Sequence, residues 1–208
     1  MSKNLGQGSL QSNSSSTGIQ AIVSRAINGD AEAVHQLIRD FASVIARELR
    51  TQRRFQSLQS RVDSDDISQS VWRCFFSAVV GGEVVFQQPN DVAAYLGRVA
   101  RNKIESQFRT HLAKKRDIRK TVSSSQEFDF HVSTDESPSE IISTFDFVQS
   151  VLSKMSEEEK RIVQRRAQGA TWDELAKELA TRGDTMRKRH AKVAARILKE
   201  LDVDDKTT

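Results

Sequence analysis

The chain has 208 residues, of which 37% are hydrophobic and 29% charged, a composition typical of a folded globular protein and not of a disordered or fibrous one. Its single cysteine, Cys74, excludes an intramolecular disulfide framework, and its 4 histidines are scattered without metal-ligand spacing, so we expect no metal and no cofactor. No apolar run approaches the roughly 20 residues of a membrane span, and the N-terminus lacks the basic and apolar blocks of a signal peptide, so the cytoplasm is the expected compartment.

The formal net charge of +4 is unevenly distributed. Residues 95 to 120 contain nine Lys or Arg and two acids, whereas residues 121 to 147 contain six acids and no Lys or Arg. Residues 182 to 199 are basic again, with seven Lys or Arg and one acid. Two cationic surfaces separated by an acidic strip favour two contacts with a polyanion.

The first hundred residues predict a flexible tail followed by a helical bundle. Residues 1–18 are rich in Ser, Asn and Gly and are predicted to be a disordered tail. A helix follows from Ile19 and breaks at Asn28-Gly29-Asp30. Asp30 is expected to cap a second helix that runs to about Phe55, since apolar residues recur there at spacings of three and four: Val34, Leu37, Ile38, Phe41, Val44, Ile45 and Leu49.

Two further helices complete the predicted bundle. One begins near Ser64, buries the stripe Ile67, Val71, Cys74, Phe75 and Ala78, and ends at Gly81-Gly82. The next is capped by Asn90 or Asp91 and turns Val92, Leu96, Val99, Ile104, Phe108 and Leu112 inward. Its outward cations form the densest basic segment of this half, although a long helix with a solvated charged face explains them equally well.

The composition changes again after Lys120. Residues 121–144 are rich in Ser and acids and contain Pro138, so they are predicted to be an acidic linker, with a helix starting from Ile141. Residues 156–201 then predict three short helices. Ser156 with Glu159, and Thr171 with Glu174, have capping-box spacing. Gly169 and Gly183 are expected in the turns, with Asp184 as the N-cap of the last helix.

The last helix has one apolar and one cationic face. Met186, His190, Val193, Ala194, Ile197 and Leu201 share one side, and the other side carries Thr185, Lys188, Lys192 and Lys199. A helix of this kind suits the DNA major groove. The alternatives are a solvated basic face or a protein-binding module. His190 is expected to be a core residue rather than a ligand, and Trp172 a packing anchor rather than a base-stacking surface.

Three motifs in this order resemble the extracytoplasmic-function (ECF) type of bacterial RNA polymerase sigma factor, over about residues 19 to 202. The first is similar to the family's region 2 signature and reads Asp65-Asp66-Ile67-Ser68-Gln69-Ser70-Val71-Trp72. The second is similar to the family's helix that ends in Ala-Arg-Asn and reads Tyr95-Leu96-Gly97-Arg98-Val99-Ala100-Arg101-Asn102-Lys103. The third is the capped helix-turn-helix at 171–200, which resembles region 4.

The resemblance implies partners for these segments. Asp65, Asp66 and Gln69 match the face that binds the β′ clamp helices of core RNA polymerase, and the polymerase β flap is a further expected contact. Carboxylates and an amide suit charge-assisted hydrogen bonds to arginines. Asp65 and Asp66 also suit the positive end of a helix dipole without any partner, which leaves a purely local role open. An anti-sigma factor is an additional candidate partner.

The resemblance also implies two promoter contacts. For the −10 element, as an opened strand, the candidate residues are Arg98, Arg101, Asn102, Lys103 and Arg109. No tryptophan lies near the start of that helix, so the lining of a base pocket cannot be assigned. For the −35 element, as duplex, the candidates are Arg182, Thr185, Arg187, Lys188 and Lys192. Ala191 and Ala195 offer little hydrogen bonding, so DNA shape is expected to contribute there.

The sequence therefore predicts an all-α sigma factor in which two small helical domains, a bundle and a helix-turn-helix, are joined by a flexible linker. The predicted domains are 19–120, which resembles region 2, and 145–204, which resembles region 4, with promoter DNA and core polymerase as partners. One alternative is a helix-turn-helix regulator that binds an operator without stable polymerase association. A nucleic-acid enzyme is disfavoured, because no catalytic carboxylate and histidine set, phosphate-binding glycine loop or activated nucleophile is evident.

Overall fold

A computed structural model of the chain describes residues 11–52, 64–118 and 138–201. Its eight elements in these ranges are all α-helices, which confirms the predicted fold class. The helices are α1 (Gln11–Ala26), α2 (Ala31–Thr51), α3 (Ser64–Val80), α4 (Pro89–Ile118), α5 (Pro138–Ser153), α6 (Glu157–Ala167), α7 (Trp172–Glu178) and α8 (Gly183–Glu200). Within the same ranges, no helix is long and apolar enough to cross a membrane.

Local signals place most helix starts as predicted. The Asp30 carboxylate accepts hydrogen bonds from the backbone N–H groups of Glu32 and Ala33 and so caps α2. Helix α4 begins at Pro89, whose missing N–H costs nothing there, so the predicted N-caps Asn90 and Asp91 lie inside the first turn instead. The Asp91 carboxylate then accepts from the N–H groups of Gln87 and Gln88, which would otherwise lack helical partners.

Four helices end with the same hydrogen-bond pattern, in which an N–H reaches back to the carbonyl five residues earlier. This pattern needs one residue with positive φ. After α1, α3 and α6 that residue is Gly29, Gly82 or Gly169, with φ of 85°, 67° and 96°. After α7 it is Ala180, with φ of 49°. The first three turns follow the predicted breaks, but the fourth was not predicted.

Helices α1 and α5 each begin inside a segment that was predicted to be non-helical. Helix α1 begins at Gln11, inside the predicted tail 1–18, because no proline stops the helix from extending backwards from its buried segment. Helix α5 begins at Pro138, inside the predicted linker 121–144, where proline is tolerated in the first turn and Glu140 complements the dipole. Residues 1–10 and 121–137 of these two segments lie outside the described residues. Helix α2 ends at Thr51, before the predicted Phe55.

Helices α1 to α4 pack into a bundle around the fully buried side chains of Trp72, Phe75, Leu37, Ile45 and Leu96. The inward-facing stripe of α4 continues to Ile104, but Leu112, which was predicted to face inward, is exposed. The reason is length. At about 1.5 Å per residue, α4 is roughly 13 Å longer than the 21-residue α2 against which it packs, so its C-terminal turns extend past the bundle.

The helices from residue 138 onward do not form a separate body. Helices α5, α6 and α8 contribute Phe147, Val148, Val163, Ala167 and Ile197 to the same apolar cluster as the bundle. A small second cluster holds α6, α7 and α8 together through Ile162, Leu175 and Met186. The residue pattern had instead predicted a separate core for each half. Their ability to fold independently stays a prediction.

Candidate nucleic-acid interface

The helix-turn-helix is built on two capping boxes, both as predicted. The Ser156 hydroxyl accepts from the N–H of Glu159 at 3.3 Å, and the Glu159 carboxylate accepts from the N–H of Ser156 at 2.8 Å. Thr171 and Glu174 repeat the arrangement at 3.2 and 2.7 Å. The hydrogen bonds from the Thr171 backbone and side chain hold the pKa of Glu174 below its ordinary value. The starts of α6 and α7 are thus fixed locally.

The turn between α7 and α8 differs from the prediction. Gly183 does not provide the left-handed residue, since it is the first residue of α8 and Ala180 has the positive φ. A Cβ at Gly183 would clash with the carboxylate of Asp173, so a side chain there would require the Asp173 side chain to move. The N-cap of α8 is Arg182, without a side-chain cap bond, and Asp184 lies in the first turn. The N-cap prediction for Asp184 is therefore wrong, and its carboxylate complements the helix dipole instead.

Helix α8 presents the predicted cationic residues to solvent. Its inner side buries Met186, His190, Ala194, Ile197 and Leu198. Five predicted −35 contacts are all exposed: Arg182, Thr185, Arg187, Lys188 and Lys192. Among the residues that the structure describes, neither Lys188 nor Lys192 forms an ion pair, whereas Arg196 is paired with Glu159 and Glu200 at 3.8 and 3.4 Å. The two lysines, one helical turn apart, are therefore available to an anion.

Arg187 lies apart from these lysines. It lines a groove of about 380 Å³ between α8 and the residues that follow α3, together with Ala191, Ala195 and Trp172. The two alanines leave this groove open. As predicted, Trp172 is a packing residue. Its ring lies against His190, with the guanidinium of Arg166 4.7 Å from the ring centroid.

The five predicted −10 contacts all lie on α4, but several already have partners in the chain. The Arg98 guanidinium lies over the Tyr95 ring at 5.4 Å, and Arg109 is 3.5 Å from Glu105. Asn102 is exposed and Lys103 half-buried. Arg101 is 3.0 Å from Glu48, a carboxylate of α2 that is only 8% exposed as a residue. Arg101 thus ties α4 to α2, whatever else it contacts.

Sequence reasoning missed Glu48, although a signal was present. Glu48 falls three residues after Ile45 on the buried stripe of α2, where an acid is out of place unless a cation meets it. Gly97, one turn before Arg101, lies beside this pair, and a Cβ there would be in ordinary van der Waals contact with the Glu48 oxygen at 3.5 Å. An ion pair between the second and fourth helices of the bundle could have been inferred.

An aromatic cluster lies at the start of α4, where no base-pocket lining could be assigned from sequence. Phe86 stacks on Phe75 with centroids 5.2 Å apart, and Tyr95 meets Phe86 edge-on at 5.6 Å. All three are buried, and the Tyr95 hydroxyl donates to the Cys74 carbonyl at 3.4 Å. The cluster therefore fastens the segment after α3 onto α4 and does not present an open stacking surface.

The acidic start of α3 is only partly open. Asp66 is exposed, whereas Asp65 and Gln69 are half-buried. The Gln69 amide oxygen accepts a hydrogen bond from the Ser143 hydroxyl of α5 at 3.2 Å. Gln69 is thus engaged by the C-terminal half of the same chain. Within the described ranges, no group of three or more His, Cys, Asp or Glu side chains could hold a metal ion.

Comparison with known proteins gives one result. The model of a family described as ECF sigma factor matches residues 16–203, which include the acidic start of α3, the cations of α4 and the helix-turn-helix. No curated protein and no solved structure matches the chain. Because the match covers most of the sequence and contains all three motifs in order, the chain belongs to the ECF sigma factor family and has a sigma factor role in transcription initiation.

Proposed function

We propose that this sigma factor binds core RNA polymerase through the start of α3 and directs it to promoters through the outward faces of α4 and α8. The observation that carries the proposal is the division of α8 into a buried apolar side and an exposed side with Lys188 and Lys192. Helix α8 packs against α6 and α7 and follows a short turn, and a helix placed in this way suits the major groove of a −35 element. Arg182 and Arg187 then flank it as contacts to phosphates.

The polymerase contact is proposed for Asp66 first. Asp66 is exposed in the first turn of α3, so an arginine of the β′ clamp helices can form a charge-assisted hydrogen bond with it. Asp65 and Gln69 lie beside it on the same helix and extend the surface. The helix-turn-helix would contact the β flap. Because the Asp66 contact is electrostatic and lies at the rim of the interface, it would influence the association with polymerase and its specificity more than the stability of the fold.

The −10 contact is proposed for α4. Arg98, Asn102 and Arg109 are exposed along a helix that extends beyond the bundle, which suits the backbone of a separated strand. Lys103 and Arg101 lie between them, and Arg101 would contact DNA only with the part of its side chain that Glu48 leaves open. A positive surface of this kind binds every sequence, so base selection is assigned to contacts made after strand opening.

Run-off transcription with purified core polymerase and genomic fragments tests the main proposal. The sharper test compares Asp66→Lys with Asp40→Lys, which makes the same charge change at an exposed position of α2. We expect Asp66→Lys to lower capture of core polymerase at least tenfold and Asp40→Lys to leave it within about twofold, with equal helix content in both. Equal capture by the two variants would instead favour a regulator that acts without polymerase.

A further inference from the structure

The two halves of the chain are joined by an extended apolar contact. Val148, Val151 and Leu152 of α5 pack against Ile27, at the end of α1, and against Phe76 and Val80 of α3. The cavity left among these six side chains is only about 10 Å³, which is at the lower limit of what one water molecule requires. Apolar side chains of both halves therefore meet directly at this point, with almost no empty volume among them.

The carboxyl end of α3 is completed by the C-terminal half. The carbonyls of Ser77, Ala78 and Val79 accept N–H groups of the turn that follows, which leaves the Val80 carbonyl. His190 of α8 lies with its Nε2 2.6 Å from that oxygen and is 3% exposed. The Nε2–H tautomer donates this bond. A helix end without its own last partner has therefore acquired one from the other half of the molecule.

Two more side chains of the C-terminal half contact the residues that follow α3. The Arg166 guanidinium donates to the Gly82 carbonyl at 3.2 Å. The Trp172 ring packs on Gly82, where an added Cβ would lie 2.6 Å from the ring. We call His190, Arg166 and Trp172 the clasp. Two further side-chain hydrogen bonds join the halves elsewhere, from Gln168 to the Ser24 hydroxyl at 3.3 Å and from Gln149 to the Gly29 carbonyl at 3.2 Å.

This closed arrangement conflicts with the activity proposed for the chain. The −35 and −10 elements are about 25 base pairs apart, or about 85 Å at 3.4 Å per pair. A compact chain of this length has a radius of gyration of about 17 Å and is roughly 45 Å across. While α8 is held against α3, the two DNA-binding faces cannot reach both elements. The same packing brings Ser143 onto Gln69, beside the proposed polymerase contact.

We propose that the packed arrangement is an autoinhibited form, held shut by the clasp, and that it opens before the chain engages core polymerase and both promoter elements. This inference rests on the proposed function. Opening separates α5, α6 and α8 from the bundle, uncovers Gln69 and frees the Val80 carbonyl. Core polymerase competes with the internal contacts, so its apparent affinity equals the intrinsic affinity reduced by the fraction of open molecules.

A reversible cross-link between the halves tests this inference. Ser24 and Gln168 lie within hydrogen-bond distance in the closed form and belong to no proposed binding surface. The full-length variant Ser24→Cys with Gln168→Cys, in a Cys74→Ser background, is treated with a short bis-methanethiosulfonate reagent. Each single-cysteine variant receives the same reagent as a control. Capture of core polymerase and run-off transcription are measured before and after cleavage of the link by a reductant.

We expect the link to form intramolecularly, capture to fall at least tenfold, and reductant to restore it. Equal capture by linked and reduced protein overturns the autoinhibited form, and so does failure of the link to form in a variant of normal helix content. If the reduced protein also fails to bind polymerase or to initiate at any fragment, the proposed function itself is wrong, whether or not the closed form is autoinhibited. The two failures are thus told apart by the reduced sample.

Discussion

Replacing Gly82 with alanine should strain the clasp in a way that a neighbouring replacement does not. Gly82 has φ of 67°, a region that costs an alanine about 1–2 kcal/mol. The new Cβ would also lie 2.6 Å from the Trp172 ring, which must move. If about 100 Å² of the ring and its surroundings is exposed again, the cost at 25 cal/mol per Å² is about 2.5 kcal/mol. We expect Gly82→Ala to destabilise the closed fold by about 3.5–4.5 kcal/mol.

Gly81→Ala is the matched control. Gly81 is the preceding residue, and a Cβ there would meet the Ser77 carbonyl at 3.2 Å and then the side chain of Glu83 at 3.5 Å, an ordinary contact. Its φ lies outside the left-handed region, so no backbone strain is added. A shift of a few tenths of an ångström relieves the contact. We expect Gly81→Ala to change the free energy of unfolding by about 1 kcal/mol or less.

Urea unfolding followed by far-ultraviolet circular dichroism and by tryptophan fluorescence measures both variants. With a urea slope of about 2–3 kcal/mol per molar, the midpoint of Gly82→Ala should fall by about 1–2 M and that of Gly81→Ala by less than about 0.5 M. Fluorescence of Gly82→Ala should also change before the helices unfold, because Trp172 is released first. If the two variants unfold at the same midpoint, the contact between Gly82 and Trp172 is not what holds the halves together.

Three further outcomes follow from single residues. Ala180→Gly should raise the free energy of unfolding by about 0.5–1 kcal/mol, because glycine adopts a φ of 49° without steric strain. An unchanged midpoint in urea would contradict the strain assigned to that turn. Burial, aided by Arg166, holds the pKa of His190 below its ordinary value of 6.5, against the Val80 bond and the Glu159 charge. The stability that neutral His190 contributes is therefore complete above about pH 6.5 and is lost as the pH falls through the lowered pKa. The wild type should thus lose more stability than His190→Gln when the pH is lowered from 7.5 to 5.5. Equal losses in the two proteins would exclude this role. Lys192→Ala should reduce the slope of log K against log salt for binding to non-specific duplex DNA by about 0.9. The control Lys160→Ala, which removes a lysine paired with Glu157 at 2.7 Å, should leave the slope unchanged. Identical slopes for the two variants would show that Lys192 does not contact DNA.

Much of the fold could be predicted from the sequence because the signals are local. Each capping box depends on two residues three positions apart, and the glycine turns depend on one residue and its own backbone. The same holds for the two faces of α8, whose spacing follows from 3.6 residues per turn. His190 and Trp172 were predicted to be packing residues on this basis, and both pack as expected.

The predictions that failed concern residues whose conformation depends on contacts between different helices. Ala180 adopts a conformation that its own side chain disfavours, because the helices on either side of the turn are held by Leu175 and Met186 in a common core. Gly183 was predicted to be a turn residue, but it is the first residue of α8, where an added Cβ would displace the Asp173 side chain. Neither could be found from the spacing of residues along the chain.

The sequence by itself determined the helices, their boundaries at capped and glycine ends, the cationic faces of α4 and α8, and the order of motifs that identifies an ECF sigma factor. Only the tertiary structure decided which of those residues are engaged within the chain. Arg101 is tied to Glu48, Gln69 to Ser143, and the end of α3 to His190. The physical reason is that such pairs join residues 53 to 110 positions apart, so they depend on how the helices pack and leave no period in the sequence.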